Sequence, residues 1–176
     1  MKKDAKRILV LGGARSGKSA YAESLAKGWR GECVYIATAQ AHDEEMAERI
    51  KAHRDRRGEK WKTFGAMLDL AGALRGAASD GSFVLIDCLT LWLTNVMLAE
   101  QDCEAAVGEL VAALSEAPGT VVMVSNEVGL GIVPDSPLGR RFRDAAGQAN
   151  RRIAEIADEV VFMTAGLPMV LKPSTS

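Results

Sequence analysis

Gly12-Gly13-Ala14-Arg15-Ser16-Gly17-Lys18-Ser19 decides how the rest of this chain is read. The stretch matches G-x-x-x-x-G-K-[ST] at every fixed position. Its glycines let the backbone curl until successive N–H groups point inward at phosphate oxygens. In such a loop the lysine, here Lys18, reaches the β- and γ-phosphates, and the Ser19 hydroxyl ligates Mg²⁺. The motif has meaning only between a strand and a helix. Ile8–Leu11, just before it, is a wholly apolar run bounded by charge and glycine, which reads as a strand buried on both faces. Ser19–Lys27, just after it, has the length of a helix.

The same alternation continues outward. Apolar runs recur at Val34–Ala37, Phe83–Ile86, Val121–Val124 and Val160–Met163. Helix-length segments lie between them at Asp43–Arg57, Leu68–Ala77, Cys103–Glu116 and Leu138–Ala157. Strands alternating with helices predict an α/β fold, a mostly parallel sheet with helices on both faces. With 176 residues and no linker, repeat or low-complexity tract, one domain spanning 1–176 is expected. Pro173–Ser176 reads as a frayed tail.

Composition narrows the partners. The chain is 48% hydrophobic and 26% charged, with a formal net charge of −1. No global field draws it to nucleic acid or an anionic membrane, so a polyanion has to be captured at a local site. Cys33, Cys88 and Cys103 show no C-x-x-C spacing, which argues against a disulfide framework or zinc site. The basic start Met1–Arg7 precedes only four apolar residues, too few for a signal peptide, and no run has the length of a membrane span. A cytosolic setting is expected.

Three further features bear on chemistry. Phe83–Ile86 ends in Asp87, and an acid at the end of a buried strand is the usual second Mg²⁺ site beside a phosphate-binding loop. On the segment from Asp43, residues Met46, Ile50, His53 and Arg57 share one helical face, with Arg49 and Arg54 close by. A lone histidine on a charged helix is ordinarily solvated. Here the crowding cations disfavour the imidazolium and leave the ring in its nucleophilic form, and the arginines could grip a triphosphate. Both readings of His53 stand at this point; His42 has no such setting and reads as a loop residue. The third feature, Ser125–Pro134, follows the strand Val121–Val124. It is expected to face the nucleotide cleft, because ligands of open α/β sheets bind beyond the carboxyl ends of the strands. Its two glycines suit a substrate loop, but a plain turn would use Asn126 and Glu127 as well.

Taken together, GGARSGKS at Gly12–Ser19, YIATAQ at Tyr35–Gln40, RIKAHRDRR at Arg49–Arg57, LIDCLTLWLTN at Leu85–Asn95, SNEVGLGIVP at Ser125–Pro134 and RRFRDAAGQANRRIA at Arg140–Ala154 resemble the adenosylcobinamide kinase/adenosylcobinamide-phosphate guanylyltransferase family along nearly the whole chain. The resemblance implies a RecA-like fold and two reactions. One phosphorylates adenosylcobinamide with ATP or GTP; the other transfers GMP from GTP to adenosylcobinamide phosphate. It places the guanylylated histidine at His53. It also places nucleotide contacts at Gly12 through Ser19, at Ala37, Thr38 and Ala39, at Arg54, Asp55, Arg56 and Arg57, and at Asp87, and it implies a homotrimer. One departure stands out: where the family usually shows a Glu and, two residues later, a Pro, this chain has Gly65 and Met67. The missing carboxylate is a nucleotide contact in the family, so base preference does not carry over. Two rivals remain: a kinase of another pathway, which gives His53 no task, and a non-catalytic RecA-type nucleotide-binding module.

Overall fold

The computed structural model describes residues 5–39 and 60–174. The expected helix Asp43–Arg57, with His53 and its arginines, lies outside the described residues, as does His42. In chain order the elements are β1 (Arg7–Gly12), α1 (Lys18–Ser24), β2 (Cys33–Ala37), β3 (Trp61–Gly65), α2 (Leu70–Ala77), β4 (Phe83–Asp87), α3 (Leu89–Leu98), α4 (Cys103–Glu116), β5 (Thr120–Asn126), α5 (Pro137–Ile156), β6 (Glu159–Thr164) and β7 (Leu167–Lys172).

The strands form one seven-stranded sheet in the order β3-β2-β4-β5-β1-β6-β7. Every neighbouring pair from β3 to β6 is parallel, and only β6 with β7 is antiparallel. Each expected strand is present. The uninterrupted apolar runs have the predicted cause: alternate residues enter two separate cores. Leu9, Leu11, Val84, Ile86, Val121 and Met123 face one layer, which is roofed by α2, α3, α4 and α5. Ile8, Val10, Phe83, Leu85, Val122 and Val124 face the other, against Ala22 of α1. On that second face Trp61 packs edge-on against Phe83 and Tyr35, with ring centroids 5.8 and 6.4 Å apart.

Three elements were not anticipated from the sequence. β3 is an edge strand whose residues are mostly exposed, so Trp61–Gly65 carries no apolar run to mark it. α3 buries Leu89, Thr90, Trp92, Leu93 and Val96, while its less buried face also carries Leu91 and Leu98, which blurs the helical period. β7 forms a hairpin with β6 through a turn in which Ala165 and Gly166 have φ of 51° and 80°, and Pro168 disguises the strand. Helix starts follow sequence grammar: Asp69, Asp102 and Ser136 each accept a hydrogen bond from a first-turn N–H of α2, α4 and α5. Among the described residues no helix is long and apolar enough to cross a membrane.

Arg7 anchors one end of this architecture. It is 7% exposed, and its guanidinium donates to Leu114 O at 2.5 Å, to Gly119 O at 2.8 Å and to Ala117 O. These carbonyls belong to the last turn of α4 and the bend into β5, so one fork holds a helix end, a turn and β1 together. Its backbone N–H donates to Asp158 Oδ2 at 2.7 Å.

Candidate active site

The site grows out of the C-terminal ends of β1, β4 and β5, which lie side by side in the sheet order. β1 runs directly into the glycine loop. At Gly12, with φ 150°, a Cβ would stand 2.4 Å from Met163 O and 2.7 Å from Ser16 Oγ, so no side chain fits there. Gly17, with φ 97°, turns the chain into α1, which begins at Lys18. From behind, the β6–β7 turn supports the loop, Gly166 N–H donating to Ser16 O at 3.1 Å. Ala14 and Arg15 remain exposed at the loop's crest.

Lys18 is 7% exposed, and its Nζ donates to Gly13 O at 2.5 Å, spanning the loop. Burial pulls its pKa below that of an ordinary lysine, while the nearby Asp87 carboxylate works in the opposite direction. An ammonium drawn partly out of water, beside a carboxylate on the next strand but one, is suited to an anionic ligand. The Ser16 hydroxyl oxygen is buried with no hydrogen-bond partner among the described residues. An orphaned donor inside a glycine cradle fits a phosphate oxygen. Mg²⁺ fits too: Ser19 begins the helix next to Lys18, and Asp87, partly exposed, ends β4. Among the described residues no cluster of three or more His, Cys, Asp or Glu could hold a metal on its own.

Thr38, just past β2, is fully buried. Its hydroxyl accepts from Cys88 N–H at 2.8 Å and lies 2.7 Å from Cys88 O, while its own N–H donates to Asp87 O at 3.3 Å. The Thr38 side chain thus holds the peptide that follows Asp87. Asn95 of α3 donates to Thr38 O at 3.0 Å and ties the helix to the same point. Ala37 and Ala39 flank it, both partly exposed, and Ala37 pairs with Gly65 at the end of β3. The position where a glutamate was expected is therefore a neighbour of the site. Cys88, with Lys18 and Asp87 close by, has its thiol pushed up to about 11, first by burial and then by the Asp87 charge; it stays protonated and takes no ionic part.

The loop Ser125–Pro134 lies where the sheet argument put it. Glu127 N–H donates to Gly12 O at 3.0 Å, binding the loop's first residues to the phosphate-binding loop. Arg140 of α5 donates to Pro134 O and Asp135 O at 3.0 and 2.7 Å and closes its far end. Between these anchors Leu130 and Ile132 are exposed. Thr90 and Asn150, which reach the β5 tip from α3 and α5, lie inside the blocks Leu85–Asn95 and Arg140–Ala154, but motif reading assigned them no individual role. Their only signal is a polar residue on an otherwise apolar helix face.

A cradle of glycines, a buried lysine and a strand-end carboxylate at the carboxyl edge of a mostly parallel sheet define a P-loop nucleotide-binding protein of RecA-like fold. Solved structures agree on the fold. An ATPase from the type III secretion system of pathogenic bacteria superposes with a TM-score of 0.54 at 12% identity, covering 94% of this chain and 56% of its own. A protein of Pyrococcus horikoshii gives a TM-score of 0.57 at 9% identity, covering 97% and 88%. The family is shown by sequence: the family model described as cobinamide kinase / cobinamide phosphate guanyltransferase matches residues 8–171, and the chain belongs to that family. It is 51% identical to the bifunctional adenosylcobalamin biosynthesis protein CobP of Pseudomonas aeruginosa over 94% of this chain and 97% of that one. It is also 40% identical to the bifunctional protein CobU of Escherichia coli, over 94% and 99%.

Proposed function

We propose that this chain phosphorylates adenosylcobinamide and then guanylylates the product, as one catalytic domain working in the cytoplasm as a homotrimer. The observation that carries the reading is a complete phosphate-binding loop, facing Asp87, in a chain that matches the family from residue 8 to 171. In the kinase step the acceptor hydroxyl attacks the γ-phosphorus of ATP or GTP, and the nucleoside diphosphate leaves. Loop N–H groups and Lys18 hold the donor phosphates and stabilise charge as it moves onto the leaving oxygens. Mg²⁺, held by Ser19, Asp87 and the nucleotide, would supply further stabilisation of that charge. In the transferase step neutral His53 attacks the α-phosphorus of GTP, forming a P–N bond and releasing pyrophosphate. An oxygen of adenosylcobinamide phosphate then attacks the same phosphorus, frees His53 and gives adenosylcobinamide-GDP. Arg54, Arg56 and Arg57 are proposed to grip the nucleotide phosphates during this step, with Asp55, Ala37, Thr38 and Ala39 as further nucleotide contacts.

The deciding experiment uses GTP labelled at the α-phosphate, with Mg²⁺ and the full chain. Label is expected on His53, acid-labile and comparatively stable to alkali, with pyrophosphate released. His53→Ala is expected to lose the label and guanylyl transfer while keeping kinase activity, and transfer by the native chain is expected to retain configuration at phosphorus. Inversion, or undiminished guanylyl transfer by His53→Ala, would reduce His53 to a solvated residue.

A further inference from the structure

β4 and β5 stop pairing at Asp87, which stands opposite Val124, because the chain turns there into α3. β5 continues through Ser125 and Asn126, opposite Leu11 and Gly12 of β1. On the β4 side this overhang has lost its neighbouring strand, and a buried strand edge has to find other partners. Side chains supply them. Asn126 N–H donates to Thr90 Oγ1 at 2.7 Å, and Thr90 Oγ1 lies 3.3 Å from Ser125 Oγ. The Ser125 hydroxyl donates to Asn150 Oδ1 at 2.7 Å, and Asn150 Nδ2 returns to Asn126 O at 3.4 Å. Since Ser125 gives its proton to Asn150, a bond between the two hydroxyls takes its proton from Thr90, whose hydroxyl also meets the Cys88 thiol. The four contacts close a ring of groups around Asn126, its N–H held by Thr90 and its carbonyl by Asn150, with Ser125 between them.

Thr90, Ser125 and Asn150 are all buried, at 8, 3 and 7% exposure. Asn150 lies on the face of α5 that otherwise buries Ala146, Ala149 and Ile153. Replacing buried hydrogen-bonding partners by apolar groups of the same shape can be nearly neutral for stability, and a polar ring in this place also fixes geometry. What it sets is the β5 tip. Gly12 O holds Glu127 from one side at 3.0 Å, and the ring holds Asn126 from the other. Because β5 lies between β1 and β4, Asn126 and Glu127 stand between the phosphate-binding loop and Asp87.

We propose that Asn150, acting through Ser125 and with Thr90 on the other side, is a positioning residue that fixes Asn126 and Glu127 against the acceptor during transfer from the nucleotide. The inference rests on the phosphoryl-transfer reading above. Sub-ångström placement matters in such a site, where a misplacement of about 1 Å can cost about a hundredfold in rate.

The test compares Asn150→Ala, Asn150→Asp and the native chain, with exposed Gln148→Ala on α5 as control, all assayed below their unfolding temperatures. Nucleotide affinity is read by GTP titration and transfer by steady-state phosphorylation of adenosylcobinamide. Asn150→Ala is expected to lower kcat at least about tenfold while GTP affinity moves less than about twofold. Asn150→Asp keeps the acceptor for Ser125 but faces Asn126 O with an oxygen. Its kcat relative to the native chain is expected to rise as pH falls from about 8 to 6, because a protonated carboxyl restores the lost donor. Were Asn150→Ala to misfold, Ser125→Ala removes the same bond from β5, and the same split is expected. Native kcat in these variants, an equal loss of GTP affinity and kcat, or a pH-independent Asn150→Asp ratio would overturn the positioning role. A native chain that binds GTP but transfers nothing to adenosylcobinamide would instead sink the functional reading beneath it.

Discussion

Lys18 shows how a residue that is costly to the fold can be placed where an anionic ligand would use it. Its ammonium is buried and its pKa lowered by that burial, so the native state binds this proton less tightly than the unfolded chain does. The penalty is present in full below the native pKa. It fades as pH rises through that value toward the unfolded pKa of about 10.4. Lys18→Met keeps the stem and deletes the charge. Two results are therefore expected: nucleotide binding is lost, and the ligand-free variant melts no lower than the native chain at pH 7, with any advantage shrinking at alkaline pH. Thermal melts with and without GTP check both. A variant that melts well below the native chain would mean that the Gly13 O contact stabilises the loop by more than the buried charge costs. Thr38 makes a related point: its hydroxyl is occupied by Cys88, so its influence on chemistry passes through the placement of Asp87.

At the scale of elements, Arg7 does for the far end of the sheet what the β5 ring does for the active end. Both replace a missing backbone partner with side-chain hydrogen bonds. The guanidinium satisfies Leu114 O, Ala117 O and Gly119 O, so α4 ends in place and β5 enters beside β1. Arg7→Met removes the fork and leaves buried carbonyls unpaired, at a cost of about 3 kcal/mol. The urea midpoint is expected to fall accordingly with the slope unchanged, and Arg7→Lys to recover only part of the loss, because an ammonium cannot span three carbonyls as a planar fork does. A loss under about 1 kcal/mol would show that water reaches those carbonyls.

Among the described residues, exposed apolar side chains include Leu130 and Ile132 on the loop beside the phosphate site, and Leu167, Met169, Val170 and Leu171 along β7. β7 is also a sheet edge, blunted by Pro168 and by Lys172, whose Nζ donates to Ala154 O and Glu155 O at 3.2 Å. Contiguous apolar surface of this kind is usually covered in solution. The proposed homotrimer gives a direct expectation: sedimentation equilibrium should report about three times the chain mass of 18.8 kDa. A single-chain mass at micromolar concentration would overturn it.

Local rules were enough for much of this protein. Parallel strands buried on both faces have to be apolar at every position, and a phosphate-binding loop has to curl on glycine, so both are written in consecutive residues. β1, β4, β5, Gly12–Ser19 and Asp87 were legible for that reason, and the family blocks extended the reading to His53. Tertiary structure decided the rest. β3 and β7 are strands because a neighbour offers hydrogen bonds, which no pattern within Trp61–Gly65 or Leu167–Lys172 announces. α3 carries Leu91 and Leu98 on its less buried face beside Thr94 and Asn95, so no clean polar stripe betrays its period. Asn150 gains its meaning from Ser125 and Asn126, about twenty-five residues away in sequence and in contact only because α5 folds back over β5. A hydrogen bond is a condition on distance and angle between groups; where those groups come from distant segments, only the folded chain can satisfy it.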